Sequence, residues 1–584
     1  MSKFIIGVFA LLLFTGAVAV AEDTQRVPSF HEFADWNHRH PDEDIDIDLY
    51  KRHWHDSHLS IGHGGFVERA YLLPGDPLNP SKHGAVLKYL KAYNHGTLEA
   101  HIKTAVTTHE KEQVFFFVIR GEGTVESKGV THNFTAGTSV FVPANVEYSF
   151  TNTTDKHAEL IIIVEEITDG FVPLTEIQTG NYHDSTPSVG NHMHWSNIWR
   201  ETKTKVKFAN PMGIGIVEVD PMEVVQPHVH APGTEEIWCK IAGGDNLLMF
   251  GNRLRWHREG EAYLIPPNNK VPHMGINGST DEKAVWLYLG NRHDDSKANR
   301  AEGEKLGKGA SFHEFAYWNH RHAEDANINL YMHDWRDSKS VIGHGGFVEQ
   351  PVLTKGDPTD PKSSGAVLKY IKAYNHGILA PETSTTPTMH KREQLAFIIE
   401  SGTGIVEAGG KREEIRHGSG VFIPAGLEYK FTNTSKSPLQ TVIIVEEIGD
   451  DFEPITEMKV GNYSASRAGS GMHWAHIGRG IFRGAKFYNP MGIAVVSIDP
   501  FDIAQPHIHE ANCEEIWYQF RGKSLAFFGN TLQWMAQGTA FLVPPDARSI
   551  QCSINPSDEP TMFIYFGNRR DRSLPGNEHK RIEK

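Results

Sequence analysis

The chain has few cysteines, a shortage of basic charge and almost no long apolar segment. Its 584 residues include three cysteines, too few for a disulfide framework in a chain of this length. Cys513 and Cys552 could pair, whereas Cys239 is expected to be a buried apolar residue. Acidic residues outnumber basic ones by 72 to 57, giving a net charge of −15. With no basic stripe, this balance argues against a nucleic-acid partner.

The one long apolar run stands at the N-terminus. Phe4 to Val20 follow a lysine, and Ala19-Val20-Ala21 matches the small-residue pattern of a cleavage site, which predicts a signal peptide over residues 1–21. A membrane anchor is the alternative, but the acidic, polar sequence after Ala21 favours cleavage. No later run reaches the roughly 20 residues that span a bilayer. We therefore expect an exported protein, periplasmic or extracellular, with no membrane span after cleavage.

Two long segments of the chain repeat each other. Ser29–His40 returns as Ser311–His322, and Gly62–Glu68 returns as Gly343–Glu349. Each half exceeds the roughly 100–150 residues of a typical domain, so we predict two β-domains per half. The predicted domains are residues 29–180, 181–293, 311–462 and 463–572, with a charged linker at 294–310 and a polar tail at 573–584.

Short β-branched and aromatic segments bounded by turn residues run through both halves. Val114–Ile119 and Thr441–Val445 are two of them. Only the segments around Phe30–Trp36 and Phe312–Trp318 have a helical pattern, and both are short. Many short strands separated by turns indicate an all-β protein of sandwiches or barrels.

One short constellation occurs in both halves. Its two copies are His228-Val-His230 followed by Glu235-Glu236, and His507-Ile-His509 followed by Glu514-Glu515. Side chains alternate along a strand, so histidines at i and i+2 lie on one face. Two imidazoles and a carboxylate can hold a divalent metal with open coordination positions. The duplication favours this interpretation over ordinary surface histidines.

These residues resemble the two motifs of the cupin superfamily, G-x5-H-x-H-x3,4-E-x6-G and G-x5-P-x-G-x2-H-x3-N. The matching residues are His228, His230 and Glu236 for the first motif, and Gly260, Pro266, His273 and Asn277 for the second. The loop before the carboxylate is one residue longer than in the motif, so Glu235 remains an alternative ligand. The spacing to Gly243 favours Glu236.

The resemblance implies four double-stranded β-helix, or jelly-roll, barrels arranged as two bicupin units of the exported bacterial type. The monomer would then mimic a dimer of bicupins, and it could oligomerise further. The resemblance also implies a second, less complete metal site. In that site His507, His509 and Glu515 are kept, while Gln551 stands where His273 stands in the first half. Two histidines and a carboxylate can still bind a metal as a facial triad.

The remaining two copies of the motif are degenerate. Their residues are His109, Gln113 and Tyr148 in the first domain and His390, Gln394 and Tyr429 in the third. One imidazole with an amide and a phenol is a poor site for a divalent ion, so we expect these pockets to be metal-free. The sets are either structural polar clusters kept by duplication or pockets for a polar ligand. His63 and His344, flanked by glycine, are expected to satisfy turns.

Two classes of function remain open. One is a metal-dependent enzyme acting on a small organic or carbohydrate-derived molecule, with one divalent ion (Mn, Fe, Zn, Ni or Cu) per competent site. The resemblance implies dioxygenase chemistry first, then decarboxylase, lyase or isomerase chemistry. No general base stands out, and Glu235 and His257 are the nearest candidates. The other class is a non-catalytic exported ligand-binding or storage protein. The four ligands retained in one domain and three in another favour the enzyme.

Overall fold

The computed structural model describes most of both halves of the chain. The described residues are 45–190, 193–200, 206–210, 212–225, 233–251, 253–267, 271, 273–292, 327–463, 473–476, 484–489, 491–504, 513–528, 531–545 and 551–569. The predicted signal peptide, linker and polar tail lie outside these residues, as do the two segments with a helical pattern.

Strands make up most of the described part of the first half, and the helices described there are single turns. The first twelve strands are β1 (Lys51–His53), β2 (Leu59–Gly62), β3 (Phe66–Pro74), β4 (Ala85–Leu87), β5 (Leu90–Leu98), β6 (Glu112–Arg120), β7 (Gly123–Ser127), β8 (Val130–Phe134), β9 (Thr138–Val142), β10 (Ser149–Asn152), β11 (Ala158–Glu166) and β12 (Gln178–Asn181). The next ten are β13 (Ser188–Gly190), β14 (Met193–Arg200), β15 (Met212–Val219), β16 (Glu223–Val224), β17 (Thr234–Ala242), β18 (Asn246–Phe250), β19 (Arg253–His257), β20 (Glu261–Leu264), β21 (His273–Asn277) and β22 (Ala284–Arg292).

The second half repeats this order. Its strands are β23 (Met332–Asp334), β24 (Val341–Gly343), β25 (Phe347–Lys355), β26 (Ala366–Leu368), β27 (Ala373–Leu379), β28 (Glu393–Ser401), β29 (Thr403–Ala408), β30 (Lys411–Arg416), β31 (Ser419–Ile423), β32 (Tyr429–Asn433), β33 (Leu439–Glu447), β34 (Lys459–Asn462), β35 (His473–His476), β36 (Met491–Ile498), β37 (Asp502–Ile503), β38 (Cys513–Arg521), β39 (Ser524–Phe528), β40 (Thr531–Met535), β41 (Thr539–Leu542), β42 (Gln551–Asn555) and β43 (Thr561–Arg569). Among the described residues, the helices are α1 (Ile47–Tyr50) and α2 (Ile328–Tyr331), with 3-10 turns at Trp54–Asp56, Tyr182–Asp184 and Trp335–Asp337.

Asp46 and Asn327 cap the two short α-helices, because each side chain accepts a hydrogen bond from the backbone N–H two residues later. In the described part of the chain, no helix is long and apolar enough to cross a membrane.

Each half begins with a large sheet packed against a small one. In the first half the eight-stranded sheet runs β12-β9-β6-β11-β5-β3-β2, with β4 beside β3, and the small sheet is β10-β7-β8. The apolar side chains of Val114, Phe116 and Val118 on β6 lie between them, on alternate positions of the strand. The second half forms the matching pair, β24-β25-β27-β33-β28-β31-β34 with β26, and β30-β29-β32.

The rest of each half forms another large sheet, and the two halves share a barrel. The large sheets are β1-β20-β17-β22-β15-β14-β13 and β23-β41-β38-β43-β36-β35. The smaller strands close into one barrel, β16-β21-β18-β19-β37-β42-β39-β40, joined across the halves at Glu223 to Thr531 and at Arg253 to Asp502. The predicted all-β jelly-roll class is confirmed, while the division into four domains at the predicted boundaries stays a prediction.

Cys239 and Cys552 are free, buried thiols. Cys239 packs in the apolar core between the two large sheets of the first half, as its sequence context predicts. Cys552 lies in β42 inside the shared barrel, so the possible bond to Cys513 is not formed.

Buried carboxylates join the two large sheets of each half. Glu165, at the end of β11, accepts hydrogen bonds from the backbone N–H groups of residues 209–210 at 3.0 and 2.6 Å. In the opposite direction, Glu235 on β17 accepts from the N–H groups of residues 88–90 at 3.1, 2.8 and 3.4 Å. Glu446 and Glu514 make the equivalent contacts in the second half. We call these contacts the carboxylate clasps.

Candidate functional site

The adjacent carboxylates Glu235 and Glu236 point to opposite sides of β17. Glu235 is committed to its clasp, and burial raises its pKa to about 7. Glu236 faces the other way, where its Oε1 accepts from the indole N–H of Trp238 at 2.7 Å and its Oε2 from the Tyr288 hydroxyl at 3.2 Å. Trp238 and Tyr288 lie directly opposite each other on β17 and β22. Two aromatic donors therefore orient the Glu236 carboxylate.

The second half repeats this arrangement. Glu514 is held in its clasp, and the indole N–H of Trp517 donates to Oε1 of Glu515 at 2.7 Å. Tyr565 lies opposite Trp517 on β43, with ring centroids 5.4 Å apart and nearly perpendicular planes. The same carboxylate position is thus oriented by the same indole in both halves.

His273 and Gln551 occupy matching places in the shared barrel. His273 begins β21 opposite Phe250 of β18, and Gln551 begins β42 opposite Phe528 of β39. Both side chains are buried. The histidine-to-glutamine difference between the copies is therefore a change at one structural position.

The four histidines of the His-x-His pairs lie outside the described residues. They are His228, His230, His507 and His509. Within the described part of the chain, no three His, Cys, Asp or Glu side chains are grouped so as to hold a metal ion. The donor chemistry of the described portion fits a divalent ion, because Glu236 is a carboxylate whose outer donors fix its orientation, as is usual for a ligating carboxylate. His273 offers an imidazole from β21.

An aromatic wall lies beside Glu236. Trp195, Trp286 and Tyr288 surround Trp238, with ring centroids 5.2 to 6.1 Å apart in edge-to-face pairs. Trp238, Trp286 and Glu236 are buried, and electrostatic interactions are stronger at a buried site than in water.

Both residues considered as general bases are engaged in structural contacts. Glu235 is held by three backbone N–H groups. His257 is buried, with its Nε2 hydrogen-bonded to the Glu261 carbonyl at 3.1 Å and its Nδ1 accepting from the Trp286 indole at 3.1 Å. Burial lowers the pKa of His257 well below its usual range. These contacts give both side chains a structural role.

The structure brings His109 and Tyr148 together, and likewise His390 and Tyr429. The imidazole Nε2 of His109 lies 3.0 Å from the Tyr148 hydroxyl, and the second pair is separated by 3.3 Å. Burial and the neighbouring His63 lower the pKa of His109, and burial raises that of Tyr148.

Gln113 and Gln394 are not part of these pairs. The amide of Gln113 donates to Oε2 of Glu165 at 2.6 Å and to the Lys207 carbonyl at 3.0 Å, so it supports a carboxylate clasp. Gln394 makes the same contacts with Glu446 and Lys486. Strand alternation explains the placement, because the preceding residue, Glu112 or Glu393, faces the histidine instead.

His63 lies in a turn, as the sequence analysis expects, but it also contacts side chains that the sequence analysis did not connect with it. Nδ1 of His63 lies 2.6 Å from Oε1 of Glu68, and the amide of Asn94 donates to Oε2 of Glu68 at 2.9 Å. The His63 ring centroid is 5.1 Å from that of His109. The presence of these residues in the repeated blocks was the available signal, but their convergence needs the fold.

We call this group, with its copy, the imidazole clusters. The first consists of His63, Glu68, Asn94, His109 and Tyr148, and the second of His344, Glu349, Asn375, His390 and Tyr429. The second has the same geometry, with 2.5 Å from His344 to Glu349 and 5.1 Å between the two imidazole centroids.

Two segments of the chain match a model of a known protein family. Residues 95–164 and 375–445 match the model of the cupin domain family. No curated protein matches the chain.

Solved structures give broader likenesses. A protein described as glyoxylate-induced, from Pseudomonas aeruginosa, is 17% identical with a TM-score of 0.34, covering 43% of this chain and 90% of its own. Oxalate decarboxylase from Bacillus subtilis is 15% identical with a TM-score of 0.34, covering 43% of this chain and 78% of its own. A mutant of the same decarboxylase is 16% identical with a TM-score of 0.33, covering 43% and 79%.

Proposed function

We propose that this chain, two segments of which match the cupin domain family, is an exported metal-dependent enzyme that acts on a small organic or carbohydrate-derived molecule. One divalent transition ion would be held by His228, His230, Glu236 and His273. A weaker site would use His507, His509 and Glu515. The observation that supports this proposal is the orientation of Glu236 by Trp238 and Tyr288, repeated for Glu515 by Trp517.

The residues around Glu236 have distinct roles in this proposal. Trp238 and Tyr288 each donate to one carboxylate oxygen, which holds the carboxylate in one orientation, as outer donors do for a ligating carboxylate. The aromatic wall would exclude water from this end of β17. A bound ion would supply Lewis-acid chemistry or a place for dioxygen beside the substrate.

The reaction class is proposed in the order dioxygenase, decarboxylase, lyase and isomerase. Glu235 and His257 are both tied into structural contacts, which makes neither a good general base. This favours chemistry in which the ion, rather than a separate side-chain base, activates the substrate. The substrate itself would be small, since the wall beside Glu236 consists of four large aromatic rings.

The experiment is a turnover screen on the mature protein before and after metal removal. Oxygen uptake and carbon dioxide release are measured with panels of small acids, phenols and sugars. The proposal expects turnover that is lost on chelation and restored by a single type of divalent ion. Turnover that is unchanged by complete metal removal would contradict it. A well-folded, metal-loaded protein without turnover would favour the non-catalytic binding protein.

A further inference from the structure

We infer that the imidazole clusters are a second pair of sites that bind a small, neutral, hydroxyl-bearing molecule without a metal. His109 and Tyr148 lie in the first segment that matches the family model, and His390 and Tyr429 lie in the second. No residue of the clusters is among those proposed to hold the ion. The inference is therefore independent of the proposed metal chemistry.

The neighbours of His63 fix the tautomer of its ring. Its Nδ1 lies 2.6 Å from a carboxylate oxygen of Glu68, so this nitrogen carries the proton and donates it. Asn94 donates to the other oxygen of Glu68 and keeps the carboxylate in place. The second ring nitrogen, Nε2, has no hydrogen-bond partner among the described residues. His63 therefore presents an oriented polar atom to a ligand.

The second imidazole of the first cluster, His109, has two polar neighbours. Its Nδ1 lies 3.5 Å from a carboxylate oxygen of Glu112, and its Nε2 lies 3.0 Å from the Tyr148 hydroxyl. Burial lowers the pKa of His109, which keeps the ring neutral, so Nε2 accepts from the phenol. The His109 side chain is 21% exposed and that of His63 is 9% exposed, so solvent reaches the cluster beside the two rings.

Unfavourable backbone conformations at His63 and His344 position the imidazoles of the two clusters. His63 and His344 adopt left-handed conformations with φ of 44° and 42°, which cost free energy for a non-glycine residue. A Cβ on Gly62 would lie 2.1 Å from Oε1 of Glu68, so the glycine gives the carboxylate room to reach His63. Gly343 stands in the same relation to Glu349. Both halves therefore keep a costly turn that places the imidazole against its carboxylate.

The charges around the cluster decide the class of ligand. Two carboxylates, Glu68 and Glu112, and one ammonium, Lys91, lie at the first cluster. An anionic ligand would be repelled by the carboxylates, whereas an alcohol can donate to the imidazole and to the carboxylate edges. Neutral molecules with several hydroxyl groups, such as sugars or polyols, fit this acceptor-rich site.

The test uses the full mature protein with D-glucose, D-xylose and glycerol as neutral probes and D-gluconate as the anionic comparator. Binding is measured by calorimetry, and modification of histidines by diethyl pyrocarbonate is mapped by peptide mass spectrometry. We expect saturable binding of at least one neutral probe, unchanged by chelation of metal. At a probe concentration about ten times Kd, modification of His63 and His344 should slow about tenfold.

Two variants sharpen the test. The double substitution His63→Gln with His344→Gln should abolish probe binding, whereas His101→Gln, which changes an exposed histidine of the first domain, should leave it intact. If the double variant fails to fold, protection from diethyl pyrocarbonate in the unaltered protein decides. The proposal is overturned by no saturable binding of any neutral probe, by binding of D-gluconate alone, by binding that survives the double substitution, or by binding that chelation removes.

Discussion

The backbone amide of Tyr89 donates a 2.8 Å hydrogen bond to Oε2 of Glu235, across the contact between the two large sheets of the first half. The carboxylate of the next residue, Glu236, lies on the other side of β17 and accepts a hydrogen bond from the indole N–H of Trp238. Two adjacent carboxylates of one motif therefore do different work. Glu235 bridges the two sheets, and Glu236 is held by an aromatic donor on the opposite side of the strand.

The carboxylate clasps are expected to stabilise the protein. Replacing Glu165 by alanine leaves the partly buried N–H groups of residues 209–210 without their acceptor and removes one of the two acceptors of the Gln113 amide. We expect a loss of about 2–3 kcal/mol in the free energy of unfolding, measured by urea denaturation. The control is Glu166→Ala, one residue on and exposed, which should change stability little. Equal effects of the two substitutions would show that the clasp contributes nothing.

We expect the buried Lys240, which occurs only in the first half, to make the stability of the protein depend on pH. Its side chain is buried, its Nζ lies 4.9 Å from the Trp286 ring without a hydrogen bond to any described residue, and burial lowers its pKa to about 7. Gln519, its counterpart, donates instead to the Arg521 carbonyl at 2.7 Å. We therefore expect Lys240→Gln to stabilise the protein.

The pH profile gives the sign of this effect. Between pH 7 and about 10.5 the unfolded chain holds a proton on Lys240 that the folded chain has lost, so stability of the unaltered protein rises with pH in that window. The gain from Lys240→Gln should be on the order of 2–4 kcal/mol below pH 7 and shrink towards pH 10. Thermal unfolding over that range measures it. A gain independent of pH would contradict a buried, titrating lysine.

The two proposed metal sites should differ in affinity. Gln551 replaces the imidazole of His273, so the second site has one good ligand fewer. We expect about one tightly held ion per chain and a second that is lost on dialysis. The substitution Gln551→His should tighten the second ion about ten- to hundredfold, measured by competition with a metal indicator. Unchanged affinity would show that residue 551 does not reach the ion.

Tyr148 tests whether the imidazole cluster and the metal site are separate. Tyr148→Phe removes the hydroxyl that donates to Nε2 of His109 and leaves Glu236 and its donors unchanged. We expect full metal content by elemental analysis, with activity altered only if the first domain binds substrate. Loss of metal in this variant would mean that the two sites are coupled.

The sequence predicts the strands and the repeat well, because alternation and turn residues are local signals. In the first domain it does not predict which of two adjacent residues faces the histidine. Gln113 matches the motif position, yet it supports a clasp while Glu112 faces His109. The face depends on the twist and register of β6 in its sheet, which are set by long-range packing.

The two halves also differ in the carboxylate that pairs with an equivalent histidine, and matching positions in the repeat do not predict this. His95 pairs with Glu159 at 3.4 Å, but its copy His376 pairs with Glu400 at 3.0 Å. The two carboxylates come from different strands, β11 and β28, which are not equivalent in the repeat. Each imidazole also stacks on a tryptophan, Trp54 or Trp335. Both halves therefore keep an imidazole–carboxylate pair, but the carboxylate comes from a different strand in each half. Matching the two halves residue by residue does not show this.

The most direct measurement is the metal content of Glu236→Gln beside that of Glu235→Gln. Both replace a carboxyl group by an amide at neighbouring positions of β17, but only Glu236 is proposed to reach the ion, while Glu235 is held by residues 88–90. After identical purification and dialysis, elemental analysis should show that Glu236→Gln loses the tightly held ion and Glu235→Gln keeps it. Retention of the ion by Glu236→Gln, or its loss only in Glu235→Gln, would contradict the assignment of this site.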